Sequence, residues 1–164
     1  MIEPRFSSSL GRSDFGFLKA MHQVAVGSPL DNPAHGPIDG LLVRNDDEIA
    51  AGTGGPLHPH ANVEIVTYVR EGDVSHSDSM GNHGWLQAGD VQVMSAGTGL
   101  RHSEMSSSPT KIFQIWIQPR QRGGEPRWGT RSFPGIDRRG ALSFSRAASR
   151  ATTTPCRFAR THAW

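Results

Sequence analysis

The sequence predicts a mostly β protein, arranged as a sandwich or a barrel, and three observations support this prediction. The chain has 164 residues, which is enough for one complete hydrophobic core. It contains 19 glycines and 11 prolines, and 35% of its residues are hydrophobic, a composition that favours short strands joined by turns. Apolar runs recur about every ten residues, which is the spacing of a sandwich or a barrel.

The predicted strands are apolar runs divided by the turn segments NDDE, EGDVSHSDSMGNHG, AGD and SAGTG. In the second run, Ile65, Thr67 and Val69 share one face, as residues two apart on a strand do. The last run is almost uniformly apolar, which indicates a central, buried strand. Only Ser13–Val24 weakly indicates a helix. The five predicted strands are Leu41–Arg44, Val63–Arg70, Trp85–Gln87, Val91–Met94 and Lys111–Ile117.

Charge is distributed unevenly and argues against a nucleic-acid-binding surface. Six arginines and one aspartate lie in residues 137–164, so residues 1–136 retain 11 of the 17 basic and 14 of the 15 acidic side chains. The body of the chain therefore carries a net charge of about −3. The sequence pI of 9.2 comes from the last 28 residues, and nucleic acid is an unlikely partner on this basis.

Cysteine content and hydropathy indicate a cytoplasmic protein. Cys156 is the single cysteine, so an internal disulfide framework and a thiolate metal site are both excluded. A reducing compartment fits this composition. No stretch approaches the roughly 20 apolar residues that a membrane-spanning helix requires, and we expect no membrane association.

Two short motifs predict a metal site. His58 and His60 lie in the segment GPLHPHANVEIVTYVREG, and on a strand their side chains would share one face about 6.5 to 7 Å apart. His102 and Glu104 repeat this spacing in GLRHSEM. Three imidazoles and one carboxylate suit divalent iron, manganese, nickel, copper or zinc, and four ligands leave room for substrate or water.

Either pair alone is weak evidence, because a chain with eight histidines contains a chance HxH pair about one time in three. Structural interpretations also fit several other polar and aromatic residues. We predict that His76 and His83 are solvated residues of a turn-rich hairpin. We predict a solvated turn for the acidic run of Asp46, Asp47 and Glu48. For the tryptophans we predict packing in the core or at its rim; these are Trp85, Trp116 and Trp128.

The sequence around the two pairs resembles the two motifs of the cupin superfamily. Gly52, His58, His60 and Glu64 follow the first motif, although its last glycine, Gly72, comes one residue late. The second motif retains two glycines, with serine in place of proline and His102 two residues late. With these departures from the cupin motifs, the sequence resembles the pirin family over about residues 41–134. The segments that carry the resemblance include NDDEIA, DSMGN, GDVQVMSAGTG, RHSE and FQIWI.

The resemblance implies a cupin-type double-stranded β-helix, or jelly-roll barrel, that holds one iron ion. It places the iron ligands at His58, His60, His102 and Glu104, and gives Glu64 a supporting or strand-pairing role. Fe(II) is the expected metal, with manganese, nickel, copper and zinc as alternatives. Glu104 is also the candidate catalytic base that accepts the hydroxyl proton of the substrate, with water bound to the metal as the alternative acceptor.

The resemblance further implies a function. Bacterial pirins are associated with flavonol ring cleavage by dioxygen, which predicts a quercetin 2,3-dioxygenase-like enzyme that uses a flavonol and O₂. Animal pirins are associated with co-regulation of transcription, so the alternative is an iron-binding, redox-sensing module that acts through a protein partner. A metal-bound cupin with another small-molecule reaction is a third interpretation, since fold does not fix chemistry.

The C-terminal segment departs from the family. The resemblance implies a second, metal-free cupin barrel after about Leu142, whereas the chain continues with Arg, Ser, Thr and Ala in no regular pattern. We therefore predict a metal-binding cupin domain over residues 1–136 and a basic, irregular tail over residues 137–164. An out-of-frame reading past about Leu142 is one explanation of the tail, and a natural disordered tail is the other.

Overall fold

A computed structural model of the chain describes residues 6–24 and 38–133. Within these ranges the regular structure is one 3₁₀ turn, Ser7–Ser9, and eleven β-strands. The strands are β1 Gly11–Asp14, β2 Leu18–Val24, β3 Leu41–Ile49, β4 Thr53–His60, β5 Glu64–Glu71, β6 Asp73–Asp78, β7 His83–Gln87, β8 Asp90–Ser95, β9 Leu100–Ser106, β10 Thr110–Ile117 and β11 Arg127–Ser132.

The strands form two antiparallel sheets that enclose the core. One sheet has seven strands in the order β1-β2-β3-β10-β5-β8-β11, and the other has four in the order β4-β9-β6-β7. Ile49, Val69 and Ile112 of the larger sheet pack with Val74 and Leu86 of the smaller one. Burial of these side chains against each other joins the two layers. The all-β prediction is confirmed.

The five predicted strands are present as β3, β5, β7, β8 and β10; four are longer than predicted, and β5 is shifted by one residue. In β5 the side chains of Ile65, Thr67 and Val69 are buried while their neighbours are more exposed, as the alternation indicates. The uniformly apolar strand, β10, pairs with β3 on one side and β5 on the other. Its central position in the larger sheet is confirmed.

The predicted helix over Ser13–Val24 is wrong, because this segment forms the hairpin of β1 and β2. Gly16 adopts a φ of 81°, and its N–H donates to Oδ1 of Asp14. The Phe15 N–H donates to the Leu18 carbonyl and closes the turn. The Asp-x-Gly turn therefore makes this segment a hairpin. A glycine in the left-handed conformation ends any helix that begins before it.

The predicted solvated turn at Asp46, Asp47 and Glu48 is also wrong. These residues lie in β3, which pairs with β2 and with β10 along this stretch. Asp46 forms an ion pair with Arg70, whereas Asp47 is buried with 6% of its surface exposed. Pairing on both edges holds this acidic run in a strand despite its poor intrinsic β-propensity.

A second group of core residues lies at the other end of the sandwich. Buried Val63, Ile65, Met94, Ala96 and Leu100 pack together, with Trp116 and Trp128 against them. This confirms the packing prediction for these two tryptophans. Trp85 is 54% exposed, so for this residue the prediction is wrong.

No helix among the described residues is long and apolar enough to cross a membrane. His35, Cys156, His162 and the whole predicted tail over 137–164 lie outside the described ranges. The division into a domain over 1–136 and a tail remains a prediction.

Candidate metal centre

Cross-strand register in the smaller sheet brings the candidate ligands into two adjacent rows. His58 of β4 lies opposite His102 of β9, and His102 lies opposite Asp78 of β6. In the next row, Glu104 of β9 lies opposite His76 of β6. His102, Glu104, His76 and Asp78 are all buried, so these rows face the interior of the sandwich.

A bulge in β4 sets the position of its two histidines. The register between β4 and β9 shifts between Gly55 and His58, so β4 contains one extra residue there. Gly54 lies so close to β9 that a Cβ atom there would stand 2.1 Å from the Glu104 carbonyl oxygen. A glycine at this position therefore lets β4 approach the strand that carries His102 and Glu104.

Three imidazoles converge where the two strands meet. Nε2 of His58 lies 3.0 Å from Nε2 of His102. The ring centroid of His60 lies 4.8 Å from that of His58 and 5.0 Å from that of His102. One ring nitrogen from each residue lies within 4.8 Å of the ring nitrogens from the other two. The structure thus brings these three predicted residues together.

Glu104 joins a second group of the same size. Its carboxylate, one nitrogen of His102 and one nitrogen of His76 all lie within 4.8 Å of one another. His102 is therefore common to both groups. The fourth predicted residue is adjacent to the three histidines through His102, and His76 is an additional candidate that was not predicted.

Two buried glutamines hold both oxygens of Glu104. Gln92 donates from Nε2 to Oε1 at 2.6 Å, and Gln114 donates from Nε2 to Oε2 at 3.2 Å. Each glutamine in turn accepts a hydrogen bond at 2.8 Å from a tryptophan indole, Trp128 for Gln92 and Trp116 for Gln114. We call these four residues the glutamine clamp. The clamp fixes the plane of the Glu104 carboxylate, because each glutamine that donates to it is itself held by a hydrogen bond from an indole.

His76 is the largest departure from the sequence prediction. Its side chain is 2% exposed, so the prediction of a solvated turn residue is wrong. The ring stacks on Trp128 with centroids 4.9 Å apart and planes 14° apart. Strand β6 lies between β9 and β7, and this pairing buries its inward-facing side chains. His83 is exposed on the neighbouring strand, as predicted.

Comparison with known proteins decides the family. The pirin family model matches residues 9–117. The chain belongs to the pirin family. A pirin-like protein of Caulobacter vibrioides is 51% identical over 142 residues, which are 85% of this chain and 61% of that protein. The quercetin 2,3-dioxygenase of Escherichia coli K12 is 43% identical over 139 residues, covering 83% of this chain and 60% of that enzyme.

Solved structures agree with this assignment. The crystal structure of the bacterial pirin YhhW of Escherichia coli in complex with nickel(II) superimposes with a TM-score of 0.74 at 41% identity. The match covers 79% of this chain and 57% of that chain. Solved pirin and other cupin structures share the fold, which confirms the cupin-type prediction. This pirin chain spans about 60% of the length of the curated relatives it matches.

Burial keeps two of the pirin histidines in the form that can bind a metal. Burial, and after it the nearby His58, lower the pKa of His60 to about 4. Burial is also the largest cause that lowers the pKa of His102 to about 3, with His58, His60 and His76 adding to it and Asp78 opposing it. Both rings are therefore neutral near pH 7, and each offers a nitrogen lone pair.

The donor atoms fit a divalent transition metal. Nδ1 of His58 donates to the Pro56 carbonyl at 2.7 Å, which leaves Nε2 as the acceptor nitrogen. Nε2 of His60 is buried with no hydrogen-bond partner in the described part of the chain. Two nitrogens bound to one ion at about 2.1 Å and at a right angle are about 3.0 Å apart, and the nitrogens of His58 and His102 have this separation.

The remaining predicted residues lie outside the centre. Glu64 accepts a hydrogen bond from Oγ of Ser95, its partner in the ladder between β5 and β8, which is a strand-pairing role. Asp47 is a further buried acid near the centre. Its pKa is raised to about 7 by burial first, and then by the charges of Asp46 and Glu104.

The sequence contains a signal for the glutamine clamp. Gln92 and Gln114 are buried polar residues on the inward faces of mostly apolar strands, and their immediate neighbours along each strand are half-buried. A polar side chain at such a position needs a buried partner. That rule marks both residues as candidates, although it does not identify Glu104 as the partner.

Proposed function

We propose that this chain binds one divalent transition-metal ion through His58, His60, His102 and Glu104, and uses it to cleave flavonols with dioxygen. Fe(II) is the metal we propose. The convergence of three imidazoles beside a clamped carboxylate carries this proposal. When bound, the ion supplies Lewis-acid charge and a template that orients an anionic flavonol and dioxygen.

The glutamine clamp supports a role for Glu104 in proton transfer. Its Oε1 accepts the shorter hydrogen bond, 2.6 Å from Gln92, whereas Oε2 lies 3.2 Å from Gln114. We propose that Oε2, the oxygen that is held less tightly, accepts the hydroxyl proton of the flavonol. The clamp restricts rotation of the carboxylate, so the accepting lone pair keeps its direction during the reaction.

An open groove supports access for a planar substrate. It borders His60 and has a volume of about 520 Å³, within the range typical of small-molecule sites. Its lining includes the exposed apolar residues Pro59 and Ala61, and Arg101, an exposed residue that carries a positive charge. A flavonol that has lost a proton is an aromatic anion, and this combination of groups complements it.

The names of relatives agree with the proposed chemistry. The relative in Escherichia coli K12 is named quercetin 2,3-dioxygenase, and the solved bacterial pirin binds nickel(II). Because this chain covers only part of these proteins, its activity has to be measured on the chain itself.

The test is oxygen uptake and carbon monoxide release by the purified chain, loaded anaerobically with Fe(II) and given quercetin. We expect turnover with the native sequence, loss of most activity in Glu104→Gln, and native activity in His83→Ala, a substitution of an exposed histidine. Equal rates for the native chain and Glu104→Gln would contradict the proposal. Metal binding with no turnover would instead favour the redox-sensing module.

A further inference from the structure

His76 has the hydrogen-bonding pattern of a metal-ligating histidine. Its Nε2 lies 3.2 Å from Oδ2 of Asp78, and a carboxylate accepts, so Nε2–H donates. Nδ1 then carries the lone pair. This nitrogen is buried and has no hydrogen-bond partner among residues 6–24 and 38–133. A histidine that binds a metal commonly donates its other ring N–H to a carboxylate in this way.

The partner carboxylate is itself fixed. Asp78 accepts hydrogen bonds from the backbone N–H groups of Met80 and Asn82 and from Nδ2 of Asn82, at 2.9 to 3.0 Å. These bonds hold both oxygens of the Asp78 carboxylate in place, so it is positioned to accept the hydrogen bond from His76.

Packing fixes the plane of the His76 ring. The indole of Trp128 lies parallel to it, and the close approach of this indole to β7 requires a glycine at position 84. A Cβ atom there would stand 2.3 Å from Cη2 of Trp128. The ring of His76 is thus held by stacking, by a hydrogen bond and by burial, while its lone pair is left without a partner in the described structure.

We propose that His76, His102 and Glu104 form a second, inner binding position for a divalent transition-metal ion. One ligand atom from each residue lies within 4.8 Å of the others. Two imidazole nitrogens and one carboxylate oxygen are donors that suit zinc, nickel, cobalt or iron. The inner position shares His102 with the outer group of His58, His60 and His102, so the two positions are adjacent along β9.

This inference is independent of the flavonol reaction, because it concerns metal binding alone. The two metal positions can be distinguished by removing the ligands that belong to the outer position alone. A centre that depends on the four residues of the proposed function loses two ligands in the double variant His58→Ala/His60→Ala, whereas the inner position keeps all three of its ligands.

The experiment is a calorimetric titration of the full chain, without an affinity tag, with nickel(II). We expect the double variant to bind one equivalent of nickel(II). Adding His76→Phe, which retains a ring to stack on Trp128, should weaken this binding by more than the roughly 10- to 100-fold that loss of an outer-shell partner costs, because a ligand is removed. Adding His83→Ala instead should leave it unchanged, because His83 is an exposed histidine on the adjacent strand.

A second measurement does not depend on substituting a buried residue. Nitrogen NMR spectra of the histidine rings in the double variant should show nickel(II) shifting or broadening His76 and His102 before His83. The proposal is overturned if the folded double variant binds no nickel(II), or if nickel(II) binds and leaves the His76 signals unchanged. Neither result bears on whether the native chain turns over quercetin.

Discussion

Gln92 donates a 2.6 Å hydrogen bond from its Nε2 to Oε1 of Glu104 inside the sandwich. Replacing it by leucine leaves Oε1 and the indole N–H of Trp128 each without this partner. We expect Gln92→Leu to lower the free energy of unfolding by about 1 to 3 kcal/mol. Metal affinity should fall about 10- to 100-fold, because the carboxylate loses its orientation. Urea unfolding and nickel(II) calorimetry measure the two effects.

Gln87→Leu is the matched control, since Gln87 is an exposed glutamine at the end of β7. It should leave the nickel(II) affinity unchanged. If both leucine variants bind nickel(II) as tightly as the native chain, the clamp has no role in orienting Glu104.

Gly84→Ala, a substitution on β7, should disturb the packing of Trp128 against His76. The new methyl group would lie 2.3 Å from Cη2 of Trp128, so the indole has to move away from His76. We expect a loss of about 1 to 3 kcal/mol in the free energy of unfolding. A change in the near-ultraviolet circular dichroism of the tryptophans should accompany it. A variant with native stability and an unchanged spectrum would show that the packing over Gly84 is looser than in the structure.

The metal-free chain should lose stability in acid. The folded-state pKa values of His60 and His102, about 4 and about 3, lie below the ordinary value of 6.5, so the unfolded chain takes up these protons first. Their contribution is therefore complete above pH 6.5 and is lost as the pH falls through 6.5 towards 4 and then 3. For buried His102 the slope is at most about 1.4 kcal/mol per pH unit.

Urea midpoints at pH 7.5, 6 and 5 in the presence of a chelator measure this slope. His102→Asn should flatten it, and His83→Asn should not. A native-like slope in His102→Asn would exclude this histidine as its source.

Asp47 should act with the opposite sign. Its folded-state pKa is raised from 3.8 to about 7, so the unfolded chain ionises first and the folded state loses relative stability as the pH rises from about 4 to about 7. Asp47→Asn removes this titration. We expect the variant to be more stable than the native chain at pH 8 by about 1 to 3 kcal/mol, and the difference to vanish near pH 4. Thermal unfolding at both pH values tests this, and a variant that is less stable at pH 8 would refute it.

Short-range spacing was sufficient to predict the strands that alternate and the histidines that share a face. His58 and His60 stand two residues apart on β4, and the same is true of His102 and Glu104 on β9. That His58 lies opposite His102 depends on the register between β4 and β9, and on the bulge after Gly55. Neither feature is encoded in the spacing of the motifs themselves.

Strand β6 shows why His76 could not be predicted. Its sequence, DVSHSD, consists mostly of residues that are common in turns, yet it pairs with β9 and β7. Burial of His76 comes from these neighbours and from Trp128, which lies 52 positions later in the chain. A contact between residues so far apart in sequence leaves no local pattern.

The two indoles of the glutamine clamp give this chain an internal optical probe. Trp116 contacts the ring of His60 edge to face, and Trp128 stacks on His76, so each indole touches one of the two groups of candidate ligands. A paramagnetic cation such as Ni(II) or Co(II) quenches the emission of a nearby indole over short distances. Phenylalanine substitutions at one or the other position would then indicate, without an external dye, which set of donors an ion occupies first.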